Sequence, residues 1–211
     1  MTAREATLAR IRAALGGPAA GAEGIPRGYR VRSDLDPGGV SRLFAERVAD
    51  YRATVHRADA GGLSALLARI LEEAGAARVV VPAGLPQQWL ADVPEHIGVV
   101  VDDGDLSIAQ LDGVDAVVTG CAVAIAETGT VVLDAGPDQG RRLVTLVPDH
   151  HVCVVAAEQI VATVPEGLAR LDPRRPLTMI SGPSATSDIE LDRVEGVHGP
   201  RNLDVVIVAA A

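Results

Sequence analysis

The pattern of apolar and polar positions predicts strands that alternate with helices over most of the chain. Apolar runs without polar alternation, such as RVVVP at 78–82 and GVVV at 98–101, are typical of strands buried on both faces. Before the first of these runs, Ser64 precedes apolar residues at helical spacing that end at Gly75. This alternation predicts an α/β fold with a mostly parallel sheet flanked by helices.

The same periodicity assigns the other elements. We predict strands at residues 54–58, 78–82, 98–101, 115–119, 124–127, 131–134, 144–148, 152–157, 177–180 and 203–208. We predict helices at residues 40–51, 64–75, 85–90, 107–111 and 164–171. The strands at 124–127 and 131–134 flank a Thr-Gly-Thr turn, which predicts a hairpin.

The first 39 residues differ from the rest. Thr2 and Glu5 have capping-box spacing, and apolar residues follow at helical intervals as far as Leu15. A Gly-Gly-Pro sequence then ends the helix, and the segment after it is rich in Gly, Pro and Ala. We therefore predict an N-terminal helix and extended arm at 1–39 and a single α/β domain at 40–211. The first helix could pack on a partner or on a second subunit.

Composition limits the function. The chain has 211 residues, 48% of them hydrophobic, so it can bury a sizeable core. A net charge of -9 and an aromatic content of only 2% argue against nucleic-acid binding, which needs basic surfaces or exposed rings. No apolar run approaches the roughly 18 residues of a spanning helix, and no signal peptide is evident. We expect a cytoplasmic protein without a membrane span.

Two residue types exclude several classes of site. All 19 basic residues are arginine, which excludes P-loop, pyridoxal phosphate and Schiff-base lysine chemistry. The two cysteines, Cys121 and Cys153, each lie in an apolar run. They are too few for an iron–sulfur cluster or an all-cysteine zinc site. We predict buried free thiols, with a redox pair as the alternative.

The apolar stretch 114–134 contains one carboxylate, Glu127, followed by Thr128, Gly129 and Thr130. A glutamate among Ala, Val and Ile is destabilising unless it is hydrogen-bonded, paired or at a cavity wall. One interpretation is a catalytic carboxylate that faces a pocket, with the turn after it binding a ligand. The other is a structural glutamate that ties the turn to a neighbouring backbone. The sequence leaves both open.

A second candidate site is the loop SGPSATSDIEL at 181–191, which follows a predicted buried strand. Small residues and hydroxyls at the carboxyl end of a strand can hold an anion or a carboxylate. The alternative is an ordinary helix N-cap after a Gly-Pro turn, and the acidic residues of the loop weaken the anion interpretation. The candidate ligand-binding residues here are Ser181, Gly182, Ser184 and Thr186.

A third candidate is the turn EGVHGPR at 195–201, in which His198 and Arg201 flank Gly-Pro. Histidine titrates near neutral pH, and arginine can hold a carboxylate or phosphate through two hydrogen bonds. The alternative is a turn that pairs Arg201 with Glu195 or Glu190. Nothing in the spacing of the histidines demands a metal, so we predict none.

Three ordered blocks resemble the lactate utilization protein C family, the short form of the LUD domain. They are GCAVAIAETGTVVL, VTLVPDHHVCVVAAEQIV and ISGPSATSDIELDRVEGVHGPRNLDVVIV. The resemblance is dense from about residue 117 to 208 and looser from about residue 40. It implies a fold similar to the ribose-5-phosphate isomerase and CoA-transferase group. Its signature positions here are Glu127, Thr128, Gly129, Thr130, Ser181, Gly182, Pro183, Ser184, Thr186, Asp188, Glu190, Glu195, Gly196, His198, Gly199 and Arg201.

The resemblance also implies a function in the oxidation of L-lactate to pyruvate. Its expected partners are a cysteine-rich subunit and a longer LUD subunit that carries iron–sulfur clusters. This chain lacks those cysteines, so we expect no cofactor of its own, with a small carboxylate or anion as a candidate ligand. The alternative is an independent enzyme that uses Glu127 as nucleophile, as in similar CoA transferases, or as base, as in similar sugar-phosphate isomerases. A third interpretation is a structural or regulatory module, and the sequence leaves catalysis by this chain open.

Overall fold

The computed structural model describes residues 2–16, 28–183 and 199–209. The chain divides into two units, residues 1–30 and residues 31–211. The first unit contains helix α1 (Ala3–Leu15), where Thr2 and Glu5 form the predicted capping box and no residue of the helix is buried. The proposed boundary after residue 39 stays a prediction.

A six-stranded sheet, all of whose strand pairs are parallel, is the centre of the second unit and confirms the predicted α/β class. Its strand order is β1-β10-β7-β4-β2-β3. The strands within the described residues are β1 (Thr54–Ala58), β2 (Arg78–Pro82), β3 (Gly98–Asp102), β4 (Ala116–Thr119), β5 (Val123–Ile125), β6 (Thr130–Leu133), β7 (His150–Ala156), β8 (Ile160–Val161), β9 (Thr178–Ile180) and β10 (Asn202–Val208). The further α-helices that the structure describes are α2 (Pro37–Asp50), α3 (Leu63–Glu73), α4 (Ile108–Asp112) and α5 (Val164–Ala169).

Helices cover both faces of this sheet because its strands are apolar on both sides. On one face, Leu67 and Leu71 of α3 belong to a core cluster with apolar residues at alternate positions of β2, β4 and β7. On the other face, Phe44 and Val48 of α2 pack with Cys153, Val155 and Val205 in a second cluster. Burial of these aliphatic side chains is the main stabilising contribution to the layers.

A second sheet, with strand order β8-β5-β6-β9, was not predicted. The predicted hairpin is confirmed, since β5 and β6 pair antiparallel. Ala124 and Leu133 of this hairpin share the core cluster of α2, which places the second sheet on the α2 face of the parallel sheet. Its other face carries Ile125 and Val161, which pack with Val164 at the start of α5.

One strand prediction was wrong, and a second was right about the strand but wrong about its burial. Residues 144–148 do not form a strand, because a 3₁₀ turn (Arg142–Thr145) occupies part of this segment. Arg141 holds that turn in place by donating from Nε and Nη2 to the Asp102 carboxylate, at 3.0 and 2.8 Å. The strand before the 181–191 loop is not a buried strand of the parallel sheet either. It is β9, a partly exposed edge strand antiparallel to β6.

Both cysteines are buried free thiols, as predicted. A hydrogen bond with Cys153, and then burial, raise the pKa of the Cys121 thiol well above its ordinary value. The thiolate is the reactive form of cysteine, so Cys121 is expected to be unreactive at neutral pH. Within residues 2–16, 28–183 and 199–209, no helix has the length and apolar character needed to cross a bilayer.

Candidate ligand-binding site

A cavity of about 590 Å³ lies between the parallel sheet and the second sheet. It collects several of the candidate residues and adds others from the 3₁₀ turn and from β7. The polar side chains that line it are Tyr51, Thr128, Thr130, Arg142, Thr145, His151, Thr178 and Ser181, and Gly182 and Pro183 complete one wall. The structure therefore brings the Thr-Gly-Thr turn and the start of the 181–191 loop to one place.

Three hydroxyls form a continuous chain along the cavity. Thr128 Oγ1 lies 2.7 Å from Thr130 Oγ1, which lies 2.7 Å from Ser181 Oγ. The chain joins the hairpin turn to the residue after β9, because β6 and β9 are paired neighbours. Each hydroxyl can donate one hydrogen bond and accept others, so the chain can reorient to suit a ligand oxygen.

His151 is almost fully buried in the cavity wall, with 1% of its surface exposed. Its Nε2 lies 2.8 Å from Thr119 Oγ1 on the neighbouring strand β4. Burial, and to a lesser degree the charge of His150, lower the pKa of His151 to about 3. The imidazole is therefore neutral at pH 7 and can offer a ligand a hydrogen bond but no charge.

Among the described residues that line the cavity, Arg142 is the positively charged one. It is exposed, and within the described part of the chain its guanidinium makes no hydrogen bond or ion pair. The neighbouring Arg141–Asp102 pair fixes the turn that carries it. A guanidinium held in this way can bind a carboxylate through two parallel hydrogen bonds.

Glu127 makes a structural contact. Its Oε1 accepts a hydrogen bond of 2.8 Å from the Val164 backbone N–H at the start of α5. Its own N–H donates to the Ala162 carbonyl at 3.0 Å. These bonds match the interpretation in which the glutamate ties the turn to a neighbouring backbone. Glu127 is not among the described residues that line the cavity. Its catalytic role stays a prediction.

Two signature glycines are required by close packing. Gly129 has φ +58°, and a Cβ there would lie 2.7 Å from the backbone carbon of Arg47. Gly182 has φ +84°, and a Cβ there would lie 2.7 Å from the Cβ of Tyr51. Both positive φ values favour glycine, and both contacts leave no room for a side chain. These glycines let the two loops lie against the end of α2.

The remaining candidates do not reach this cavity or cannot be placed. Arg201 lines a separate cleft and donates from Nε to Asp149 Oδ1 at 2.6 Å, whereas the alternative interpretation paired it with Glu195 or Glu190. Ser184, Thr186, Asp188, Glu190, Glu195, Gly196 and His198 lie outside the described residues. Among the residues that are described, no three His, Cys, Asp or Glu side chains come together in a way that could hold a metal ion.

Sequence reasoning missed His151, Arg142 and Thr145 as cavity residues. The predicted strands at 144–148 and 152–157 left His150 and His151 between them, although these two histidines begin β7. Successive strand residues face opposite sides of a sheet, so His151 shares the face of Cys153, towards α2 and the second sheet. That alternation was the available signal. Nothing in the sequence marked the 3₁₀ turn.

Comparison with known proteins gives the family. A model of the LUD domain matches residues 42–208. The lactate utilization protein C of Deinococcus radiodurans is 50% identical over 184 residues, which cover 85% of this chain and 84% of that protein. The lactate utilization protein C of Bacillus subtilis is 32% identical over 116 residues, or 51% of this chain and 48% of that protein. A crystal structure of a DUF162 family protein from Deinococcus radiodurans has a TM-score of 0.70 and 44% identity, and covers 82% of this chain and 99% of that one. The chain belongs to the LUD domain family.

Proposed function

We propose that this protein takes part in lactate utilization, as a cytoplasmic subunit of a system that oxidises L-lactate to pyruvate. Its cavity binds a small monocarboxylate in this proposal. The main support is the 50% identity, over most of both chains, to a protein named lactate utilization protein C. The single observation that supports the ligand class is Arg142, a cation at the cavity with no partner among the described residues.

The other polar groups of the cavity suit a 2-hydroxy or 2-keto acid. One guanidinium matches the single negative charge of such an acid. The neutral His151 and the hydroxyl chain from Thr128 to Ser181 can bond the hydroxyl or keto oxygen without adding charge. The volume of about 590 Å³ exceeds what a three-carbon acid fills, so longer 2-hydroxy acids belong in the same test.

The proposed partners are a cysteine-rich subunit and a longer LUD subunit that carries iron–sulfur clusters. Oxidation of lactate releases two electrons, which need an acceptor. The chain has only two cysteines, both buried, whereas a cluster is usually held by four thiolates. The electrons would therefore pass through those partners, and this chain would bind the acid, assemble the subunits, or both.

Calorimetric titration with L-lactate, pyruvate and 2-hydroxybutyrate tests the ligand. We expect Arg142→Gln to weaken binding at least 10-fold, which corresponds to the loss of a charged hydrogen bond of about 1.5–3 kcal/mol. Arg10→Gln is the matched control, because it removes the same charge from an exposed position of α1. No heat from the wild type with any acid, or equal binding by the Arg142 variant, would contradict the proposed ligand site.

Purification of the tagged protein from lactate-grown cells tests the assembly. We expect the cysteine-rich and iron–sulfur subunits to co-purify, and deletion of the gene to prevent growth on L-lactate while growth on pyruvate continues. Normal growth of the deletion strain on lactate, with no other copy of the gene, would reject the role in lactate utilization.

A further inference from the structure

The outer side of β3 is an edge of the parallel sheet. β3 is the last strand in the sheet order, and among the described strands it pairs only with β2. On that inner side, the Gly98 N–H donates to the Ala77 carbonyl at 2.8 Å, and the Asp102 carbonyl accepts a bond of 3.2 Å from the residue after β2. The backbone groups of successive strand residues point to opposite sides, so those of Val99 and Val101 point outwards.

The side chains of this edge are apolar and exposed. Val99 is 41% exposed and Val101 is 54% exposed. Their partners on β2, Val79 and Val81, are almost fully buried in the core cluster of α3. Sheets usually protect such an edge with a charged residue, a proline or a bulge, but the sequence GVVV at 98–101 contains no charge and no proline. The edge is therefore suited to pairing with another strand.

A second copy of the chain fits this edge in an antiparallel register centred on Val100, the middle residue of β3. In that register Val99 lies opposite Val101 of the second copy, and the outward N–H and C=O groups of the two residues bond to each other. A two-fold axis normal to the sheet relates the copies, so both use the same surface. The exposed valines of both copies then meet on one face and extend the α3 cluster across the interface.

The charges at the two ends of β3 favour the antiparallel arrangement. Asp103 and Asp105 are exposed beyond its carboxyl end. The exposed Arg78 lies beside its amino end, where Glu95 and the neutral His96 bring the local charge close to zero. A parallel pair would bring two acidic ends together, whereas the antiparallel pair separates them and places each one at the arginine-bearing end of the other copy.

We propose that the chain forms a two-fold dimer in which the β3 strands of two copies pair antiparallel and join their parallel sheets into one continuous sheet. The partner of this surface is a second copy of the same chain. No residue of β3 is among the described residues that line the candidate ligand-binding cavity, so the interface does not depend on the proposed ligand.

Sedimentation equilibrium of the full chain over a range of concentrations tests the dimer. We expect the wild type to reach twice the mass of the chain. Val101→Glu should raise the dimer dissociation constant by about 10-fold or more, because pairing buries an unpaired carboxylate against Val99 of the second copy. Val31→Glu is the matched control and should dimerise like the wild type. That valine is 51% exposed, and its carbonyl accepts a hydrogen bond from Thr163 Oγ1, just before α5.

Hydrogen exchange gives a measurement that needs no variant. The amides of Val99 and Val101 should exchange slowly at concentrations that populate the dimer and quickly on dilution, because their N–H groups are bonded only across the interface. Equal exchange in the two conditions would overturn the proposed pairing.

A mixture of two variants tests the register. Val99→Lys and Val101→Glu should each be monomeric alone, and mixing them should restore a dimer. The register places the new ammonium group of one chain opposite the new carboxylate of the other, and leaves valine opposite valine at the second position. A wild type that stays monomeric at every concentration, a dimer that Val101→Glu leaves intact, or a mixture that stays monomeric would overturn the proposal.

Discussion

His151 and Thr119 form a buried side-chain pair that joins two strands of the parallel sheet. Nε2 of the histidine lies 2.8 Å from Oγ1 of the threonine, and both residues are at most 1% exposed. The register pairs His151 with Val117, so the imidazole reaches along β4 to a residue two positions further on. The bond fixes the ring in the cavity wall and satisfies a nitrogen that water cannot reach.

Thr119→Val should remove this bond with little change in volume. We expect the free energy of unfolding at pH 7 to fall by about 1–3 kcal/mol, because a buried nitrogen of His151 loses its partner. Urea denaturation measures the loss. The double variant Thr119→Val/His151→Leu should lose less than the sum of the two single variants. Simple additivity would show that the pair contributes no coupling energy.

His151 should also make stability depend on pH. Its pKa is about 3 in the folded protein and about 6.5 in an unfolded chain, so the unfolded chain binds the proton first. The contribution of the neutral His151 to the free energy of unfolding is complete above pH 6.5. Below that value it falls by about 1.4 kcal/mol per pH unit. Between pH 7 and pH 5, the wild type should therefore lose about 2 kcal/mol more than His151→Leu, measured by urea denaturation. Equal losses would contradict a buried neutral imidazole.

Asp204 lies between two histidines, with Oδ1 2.5 Å from His56 Nε2 and Oδ2 2.5 Å from His150 Nε2. Asp204→Asn should lower the free energy of unfolding at pH 7 by about 2–4 kcal/mol, because two charge-assisted bonds are weakened. Asp112→Asn, in the same cleft but exposed, is the control and should change stability by less than about 0.5 kcal/mol.

The Asp204 effect should disappear in acid. Burial alone would raise the pKa of this carboxyl, but the hydrogen bonds and charges of His150 and His56 lower it below its ordinary value. Its contribution is therefore present above about pH 4 and is lost as the pH falls through the lowered pKa. A difference between wild type and Asp204→Asn that persisted unchanged well below pH 3 would contradict this assignment.

Alanine substitutions at Gly182 and Gly75 distinguish the cost of backbone strain from that of steric contact. Both have positive φ, but a Cβ at position 75 would meet nothing within 4 Å, whereas one at position 182 would meet Tyr51 at 2.7 Å. Gly75→Ala should lower the free energy of unfolding by about 1–2 kcal/mol, the strain of a left-handed alanine. Gly182→Ala should lower it further and weaken ligand binding at the cavity. Equal effects of the two substitutions would show that the Tyr51 contact can relax.

Two substitutions of Glu127 distinguish its structural hydrogen bond from a role in activity. Glu127→Gln keeps an oxygen for the Val164 N–H and should leave stability within about 1 kcal/mol, whereas Glu127→Ala should lower it by about 1–2 kcal/mol. Glu72→Gln, on the exposed side of α3, is the charge control. A stable Glu127→Gln protein that fails to restore growth of a deletion strain on lactate would show a role beyond this hydrogen bond.

Much of the parallel sheet could be predicted from local pattern. Runs such as Arg78–Pro82 are apolar at successive positions, and only a strand covered on both faces buries all of them. The hairpin was predictable for a similar reason, because the Thr-Gly-Thr turn interrupts two apolar runs, and Gly129 does have positive φ. The segment at 144–148 was wrongly predicted because its apolar residues are equally compatible with a buried 3₁₀ turn.

The sequence by itself determined the fold class, the buried cysteines and the absence of lysine chemistry, because these depend on residue type and short-range periodicity. Only the tertiary structure decided that the hairpin leaves the parallel sheet for a sheet of its own, since strand partners are set by contacts between distant segments. The same long-range packing brought Arg142 and His151 beside Ser181, and placed the Glu127 carboxylate on the backbone of α5. Distances between residues far apart in the chain have no local signal, which is why the site needed the fold.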